Sequence, residues 1–201
     1  MKGSIIIVSF FIAGVWLGSQ GWLPAFLLEN DRTLYALYAL MFLVGVSLGS
    51  DRKLKEIVRS VRARILLVPL ATIAGTLAGS ALISLVLVKL SLADCLAIGS
   101  GFGYYSLSSV FITQYKGAEL GTVALMANII REIITLLGAP LLAAYFGPLA
   151  PIAAGGATTM DTTLPVITRY SGKDWVFVSI FHGITVDFTV PFFVTFFATW
   201  T

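Results

Sequence analysis

The chain has 201 residues, of which 58% are hydrophobic and only 11% charged, with a net charge of +3 and a mean hydropathy of +0.94. Soluble domains carry about 25% charged residues, so composition excludes a soluble enzyme and leaves no length for a separate soluble domain. Apolar runs long enough to cross about 30 Å of hydrocarbon recur throughout, whereas the short alternating segments of a membrane β-barrel are absent.

Hydropathy, interrupted at charged or Gly/Pro loops, predicts apolar segments at roughly 4–28, 33–50, 65–89, 92–115, 119–146, 149–168 and 175–200. The expected fold class is therefore all-α, a polytopic transmembrane helix bundle forming a single integral membrane domain over residues 1–201. The first segment begins after Lys2. It is too long for a signal-peptide core and lacks a small-x-small cleavage site, so it is expected to remain as a span. Between the second and third segments lie Arg52, Lys53, Lys55, Arg59, Arg62 and Arg64 against only Asp51 and Glu56. A short basic loop between apolar walls reads as cytoplasmic, and with no aromatic residues interleaved for base stacking it gives no reason to expect a nucleic-acid partner. This places the N-terminus inside and, after seven crossings, the C-terminus outside. The loops at Lys116 and at Arg169 to Lys173 then also fall inside.

The fourth and sixth segments are expected to be broken or re-entrant. Residues 99–109 read Gly-Ser-Gly-Phe-Gly-Tyr-Tyr-Ser-Leu-Ser-Ser, and residues 153–163 read Ala-Ala-Gly-Gly-Ala-Thr-Thr-Met-Asp-Thr-Thr, followed by Leu164 and Pro165. Helix propensity is poor across both. Unwound backbone at membrane depth survives only where protein or a wet cavity satisfies it, and paired interruptions point to a transporter's binding site. A 55-residue shift lays Ile112-Thr113-Gln114-Tyr115-Lys116-Gly117 on Ile167-Thr168-Arg169-Tyr170-Ser171-Gly172, pairing Gly101 with Gly156, Ser106 with Asp161 and Glu132 with Asp187. Residues 97–146 and 152–200 thus read as two copies of one unit.

Three carboxylates lie inside apolar runs, where each costs roughly 2.5–3.5 kcal/mol to insert. Glu132 follows Arg131 directly, and Asn128 precedes it by four residues and shares its helix face. Either these groups join a structural ion-pair network, or one acid pairs with Arg131 and another stays free for a cation or proton. Asp161 stands among Thr158, Thr159, Thr162 and Thr163, a setting suited to a desolvated ammonium group or a shared proton; the alternative is an N-cap for the helix that follows. Asp187 precedes Pro191 by four residues, so its carbonyl loses a helical donor and a kink is expected. It serves that kink, the Arg131 pair or a proton relay. His182, the one histidine, is either a packed, hydrogen-bonded helix residue or a relay titrating near neutral pH.

Enzymatic readings lack residues. Gly99 to Gly103 carries neither the Lys-Ser/Thr ending of a phosphate loop nor a sixth-position glycine, no HExxH motif occurs, and the serines have no nucleophile elbow. Cys95 is the only cysteine, so a thiolate metal cluster is not available. No cofactor is expected.

The run Gly101-Phe102-Gly103-Tyr104-Tyr105-Ser106-Leu107-Ser108 resembles the lysine exporter family LysO. So do Arg131-Glu132-Ile133, the stretch Gly156-Ala157-Thr158-Thr159-Met160-Asp161-Thr162-Thr163-Leu164-Pro165-Val166, and His182-Gly183. The resemblance implies a secondary transporter of the bacterial inner membrane that exports L-lysine and its analogue thialysine in exchange for a proton or another cation. Asp161 and Glu132 would be its intramembrane acidic pair. Arg131, Asn128, Ser106, Thr158, Thr159 and Thr162 complete the expected binding set, with His182 and Asp187 as relay candidates; the resemblance itself assigns Asp187 no role. It also implies that an N-terminal hydrophobic portion of single-chain members is missing, to be supplied by a small companion membrane subunit or a second copy. Rival readings are an antiporter for another solute and a non-transporting scaffold subunit.

Overall fold

The computed structural model describes residues 63–200, together with Ala13, residues 16–20, Tyr35, Phe42 and Val46. The chain divides into two compact units, Met1–Leu54 and Lys55–Thr201, and the fold below is that of the second. Most of the expected spans at 4–28 and 33–50, nearly all of the basic loop, and the topology inferred from it lie outside the described residues.

Among the described residues every regular element is helical. Helix α1 spans Ala63–Ser84 and is followed by turns. The apolar run was expected to stay helical to about residue 89, but apolarity alone does not distinguish a helix from an apolar connection. Ser91 marks the new start: its hydroxyl accepts from the Asp94 N–H at 3.1 Å while the Asp94 carboxylate accepts from the Ser91 N–H at 3.1 Å, a reciprocal cap. Helix α2 (Leu92–Gly99) ends at the first break, and α3 (Tyr105–Lys116) resumes after it. Gly117 joins α3 to the long α4 (Ala118–Phe146). A short α5 (Ala150–Gly155) then runs into a 3₁₀ turn at Gly156–Met160, the second break, and α6 (Leu164–Ser171) follows. The last helix, α7, covers Val176–Thr199 without interruption at Pro191. Both expected broken segments are therefore present, and the order short helix, break, short helix, long helix occurs twice.

Three helices, at Ile65–Ser84, Ala118–Phe146 and Lys173–Thr199, are long and apolar enough to cross a membrane. The last is the most enclosed of them; α7 packs against α1, α2, α3 and the second break. Lipid offers no hydrophobic drive for helix association, so close approach of small residues and interhelical hydrogen bonds must supply it. A Cβ on Gly99 would collide with the Ser80 side chain of α1, and one on Gly121 with the Thr113 side chain of α3. The outward face of α4 carries Ile130, Ile133, Ile134, Leu137 and Leu141, all exposed.

Candidate functional site

Helix α4 organises the site. Its buried stripe, Gly121, Ala124, Asn128, Thr135 and Ala139, recurs at three- and four-residue spacing and faces both breaks. At the first break the chain turns through Phe102 (φ 46°) and Gly103 (φ 97°). A phenylalanine in the left-handed region costs roughly 1–2 kcal/mol, a strain tolerated where surrounding contacts enforce it. Here the enforcement is visible. The Gly103 N–H donates to Asn128 Oδ1 at 2.8 Å, and Asn128 Nδ2 donates to the carbonyls of Ala124 at 2.9 Å and Ile98 at 3.3 Å.

One turn further along α4, Arg131 grips the second broken segment. Its Nε donates to the Ala154 carbonyl at 2.8 Å, Nη2 to the Ala153 carbonyl at 3.1 Å, and Nη1 to Thr76 Oγ1 of α1 at 3.2 Å. These carbonyls belong to the C-terminal end of α5, where unpaired backbone acceptors favour a cation. The expected pairing of Arg131 with an acid is not formed. Among the described residues the ion pair is Lys116 with Asp94 at 3.3 Å, and Arg131 makes none with Glu132, Asp161 or Asp187. Two of its five N–H groups remain available, and with Asn128, Thr76 and Ser80 it lines a cleft of about 280 Å³ between α1, α2 and α4.

The two breaks meet directly. The Ala157 N–H donates to the Phe102 carbonyl at 2.9 Å, joining residues 55 positions apart. Gly156 (φ 62°) has no space for a side chain: a Cβ there would run into the Phe102 carbonyl oxygen. A Cβ on Gly103 would lie 2.9 Å from the Gly155 carbonyl oxygen.

The threonines near Asp161 do not ring it. Thr158 Oγ1 donates to the Gly155 carbonyl at 2.9 Å and sits 3.2 Å from Thr163 Oγ1. Thr159 Oγ1 lies within bonding distance of the Gly156 and Ser179 carbonyls, at 2.8 and 2.9 Å, and of His182 Nδ1 at 3.1 Å. All three threonines are buried: the Thr158 and Thr159 hydroxyls satisfy backbone inside the break and Thr163 pairs with Thr158, while Thr162 alone shares the exposed side with Asp161. Asp161 is not the cap of α6 either. Thr163 holds that position without a side-chain bond, and the Asp161 carboxylate accepts from the neighbouring Thr162 N–H.

No hydrogen bond joins Glu132 and Asn128, whose amide bonds go to Gly103, Ala124 and Ile98. Asn128 is buried while Glu132 is half-buried at the flank of the stripe, without a hydrogen bond or ion pair among the described residues. Ser106, one residue into α3, is exposed. His182 is fully buried, bonded through Nδ1 to Thr159 and through Nε2 to Thr72 Oγ1 at 2.9 Å. A neutral ring protonated on Nδ1 satisfies this chain: Nδ1–H donates to Thr159, whose own hydrogen goes to a carbonyl, and the Thr72 hydroxyl donates to Nε2. Asp187 is 8% exposed. It lies in electrostatic range of Asp161, and the Tyr104 hydroxyl lies in range of both acids.

Sequence reasoning missed Thr72, Thr76 and Tyr104. The two threonines stand four residues apart in a mostly apolar span, so they share one helix face, and that spacing was the available signal. Tyr104 closes the first glycine cluster.

The profile of the family described as lysine exporter LysO matches residues 8–198. The chain is 34% identical over 189 residues to the lysine exporter LysO of Escherichia coli, covering 93% of this chain and 61% of that one. It is 32% identical over 184 residues to a Haemophilus influenzae protein named "Putative lysine exporter", covering 90% and 91%. No solved structure matches. The chain thus spans somewhat under two thirds of the Escherichia coli relative's length. A profile covering nearly the whole chain, with motifs that build both breaks and the α4 grips, places it in the lysine exporter LysO family.

Proposed function

We propose that this chain exports L-lysine across a bacterial inner membrane in exchange for a proton or another cation, with Asp161 and Glu132 receiving the substrate's ammonium group. The observation that carries the reading is how the charges near the two breaks are partnered. The buried cation, Arg131, is held by backbone carbonyls, while Glu132 and Asp161 have no cationic partner among the described residues. Uncompensated carboxylates at membrane depth are costly unless a mobile cation visits them. Exchange of one cation for another keeps the charge in the hydrocarbon nearly constant.

The remaining N–H groups of Arg131, in its cleft beside Asn128, suit the carboxylate end of an amino acid. Thialysine replaces one methylene by sulfur and keeps both charged ends. A site that reads those ends discriminates poorly between such near-isosteres, so both are substrates in this reading. The repeated element order supports taking 97–146 and 152–200 as two copies of one unit, with the site at their crossing.

The test is efflux of labelled lysine from cells loaded with a lysine dipeptide, comparing wild type with Asp161→Asn and Glu132→Gln at matched membrane levels. Rapid efflux that either substitution abolishes is the expected result. Equal efflux from the double variant would remove both acids from the mechanism.

A further inference from the structure

We infer that Asp187 is the proton-carrying acid of this site, holding a proton while the substrate position beside Asp161 is empty and releasing it when a substrate cation arrives. The inference rests on the export reading and adds the identity of the coupling ion.

Position is the first ground. Gly183 of α7 lies so close to the second break that a Cβ there would sit 2.6 Å from the Met160 nitrogen and 2.8 Å from Thr159 Oγ1. Asp187 is one helical turn beyond Gly183 and so lies on the same face, within electrostatic range of Asp161. It is buried to 8% exposure and its carboxylate makes no hydrogen bond or ion pair among the described residues. A carboxyl enclosed in this way is cheaper to keep neutral than charged.

Among the described residues the surrounding groups offer no cation and no coordination shell. The second break presents Asp161 and the first presents Tyr104; neither is a cation. On its own helix, both His182 ring nitrogens are taken. Arg131 forms no ion pair with Asp187; its bonds to the second broken segment and α1 go to Ala153, Ala154 and Thr76. A sodium ion would need several oxygens to replace its water shell, yet the nearby α7 hydroxyls are turned to their own helix: Thr185 donates to the Phe181 carbonyl and Thr189 to that of Val186, at 2.8 and 2.7 Å. A proton needs one oxygen.

The exchange then balances. With the site empty, one cation, the proton, resides on Asp187. An arriving ammonium group beside Asp161 adds positive charge, the O–H bond of Asp187 breaks, and its proton passes to water on the cytoplasmic side. When lysine leaves on the other side, Asp187 takes up a proton from there. Two acids in electrostatic contact, sharing one cation at a time, couple the two fluxes.

Two measurements on the purified full chain test this. In infrared spectra without lysine at neutral pH, the C=O stretch of a protonated carboxylic acid is expected in wild type and absent in Asp187→Asn. In vesicles carrying a proton gradient, Asp187→Asn is expected to lose net lysine efflux about tenfold, within the range usual for coupled sites, and lysine–lysine exchange far less; Asp187→Glu restores the gradient response. Persistence of the carbonyl band in Asp187→Asn overturns the assignment, as does an equal loss of efflux and exchange. A wild type that moves no lysine but whose band is lost on substitution would sink the lysine reading and leave the proton site standing.

Discussion

Replacing Gly156 by alanine addresses the crossing of the two breaks with a single methyl group. The new Cβ runs into the Phe102 carbonyl oxygen and lies 3.3 Å from Arg131 Nη2. The obstacle is backbone, so no side-chain rotation relieves it, and the breaks must part. Parting them forfeits the Ala157 to Phe102 hydrogen bond, a loss of about 1–3 kcal/mol when the groups stay buried. The backbone at φ 62° and ψ −129°, a region residues with a Cβ rarely occupy, adds roughly 1–3 kcal/mol. The total, about 2–6 kcal/mol, is a large share of a typical stability of 5–15 kcal/mol, and at this chain length corresponds to a melting shift of roughly 4–24 °C. Gly138→Ala is the matched control. Its Cβ would meet only the Leu142 side chain at an ordinary 3.8 Å, and alanine favours the helix by up to about 1 kcal/mol. The assay is thermal unfolding of the detergent-purified chain, followed by size-exclusion chromatography, alongside lysine efflux. A Gly156→Ala protein that melts and transports like Gly138→Ala would refute the crossing as described.

Other expectations follow from the same geometry. Arg131→Lys keeps the charge but not the planar fork that reaches two successive carbonyls; it should abolish most efflux while membrane levels, judged by immunoblot, fall by less than in Arg131→Ala. Asn128→Ala leaves the Gly103 N–H buried without its acceptor and should cost about 1–3 kcal/mol in unfolding experiments. His182→Ala should lower the melting temperature by removing a bridge between Thr72 and Thr159, yet leave the pH profile of any residual transport unshifted; a shifted profile would restore the relay reading of His182. Lys116→Ala breaks a partly exposed ion pair and should change stability by no more than about 1 kcal/mol.

The helical class and both interruptions were legible because each rests on local chemistry. Glycine and hydroxyl residues clustered at 99–109 and 153–163 lower helix propensity there, and the structure breaks within both, although Tyr105–Ser109 and Ala153–Gly155 are helical. What the breaks touch was not legible. Arg131 and Glu132, neighbours in sequence, point about 100° apart on a helix, which rules out a direct pair without saying what each meets. One turns inward to carbonyls and the other stays at the flank. The threonines around Asp161 looked like a polar ring because their number was visible and their direction was not. Within a 3₁₀ turn the nearest acceptors are backbone carbonyls, and Thr158 and Thr159 take them.

Asn128 and Arg131 make α4 a two-jawed clamp, one jaw on each broken segment. Segments held from a single turn of one helix cannot travel separately, so whatever movement exposes the site to either side carries both breaks and α4 as one block. The three-residue interval between the jaws is then a gauge. One residue inserted between them would swing the second jaw about 100° around the helix, releasing one segment while the other stayed held, although every side chain named in the site would still be present.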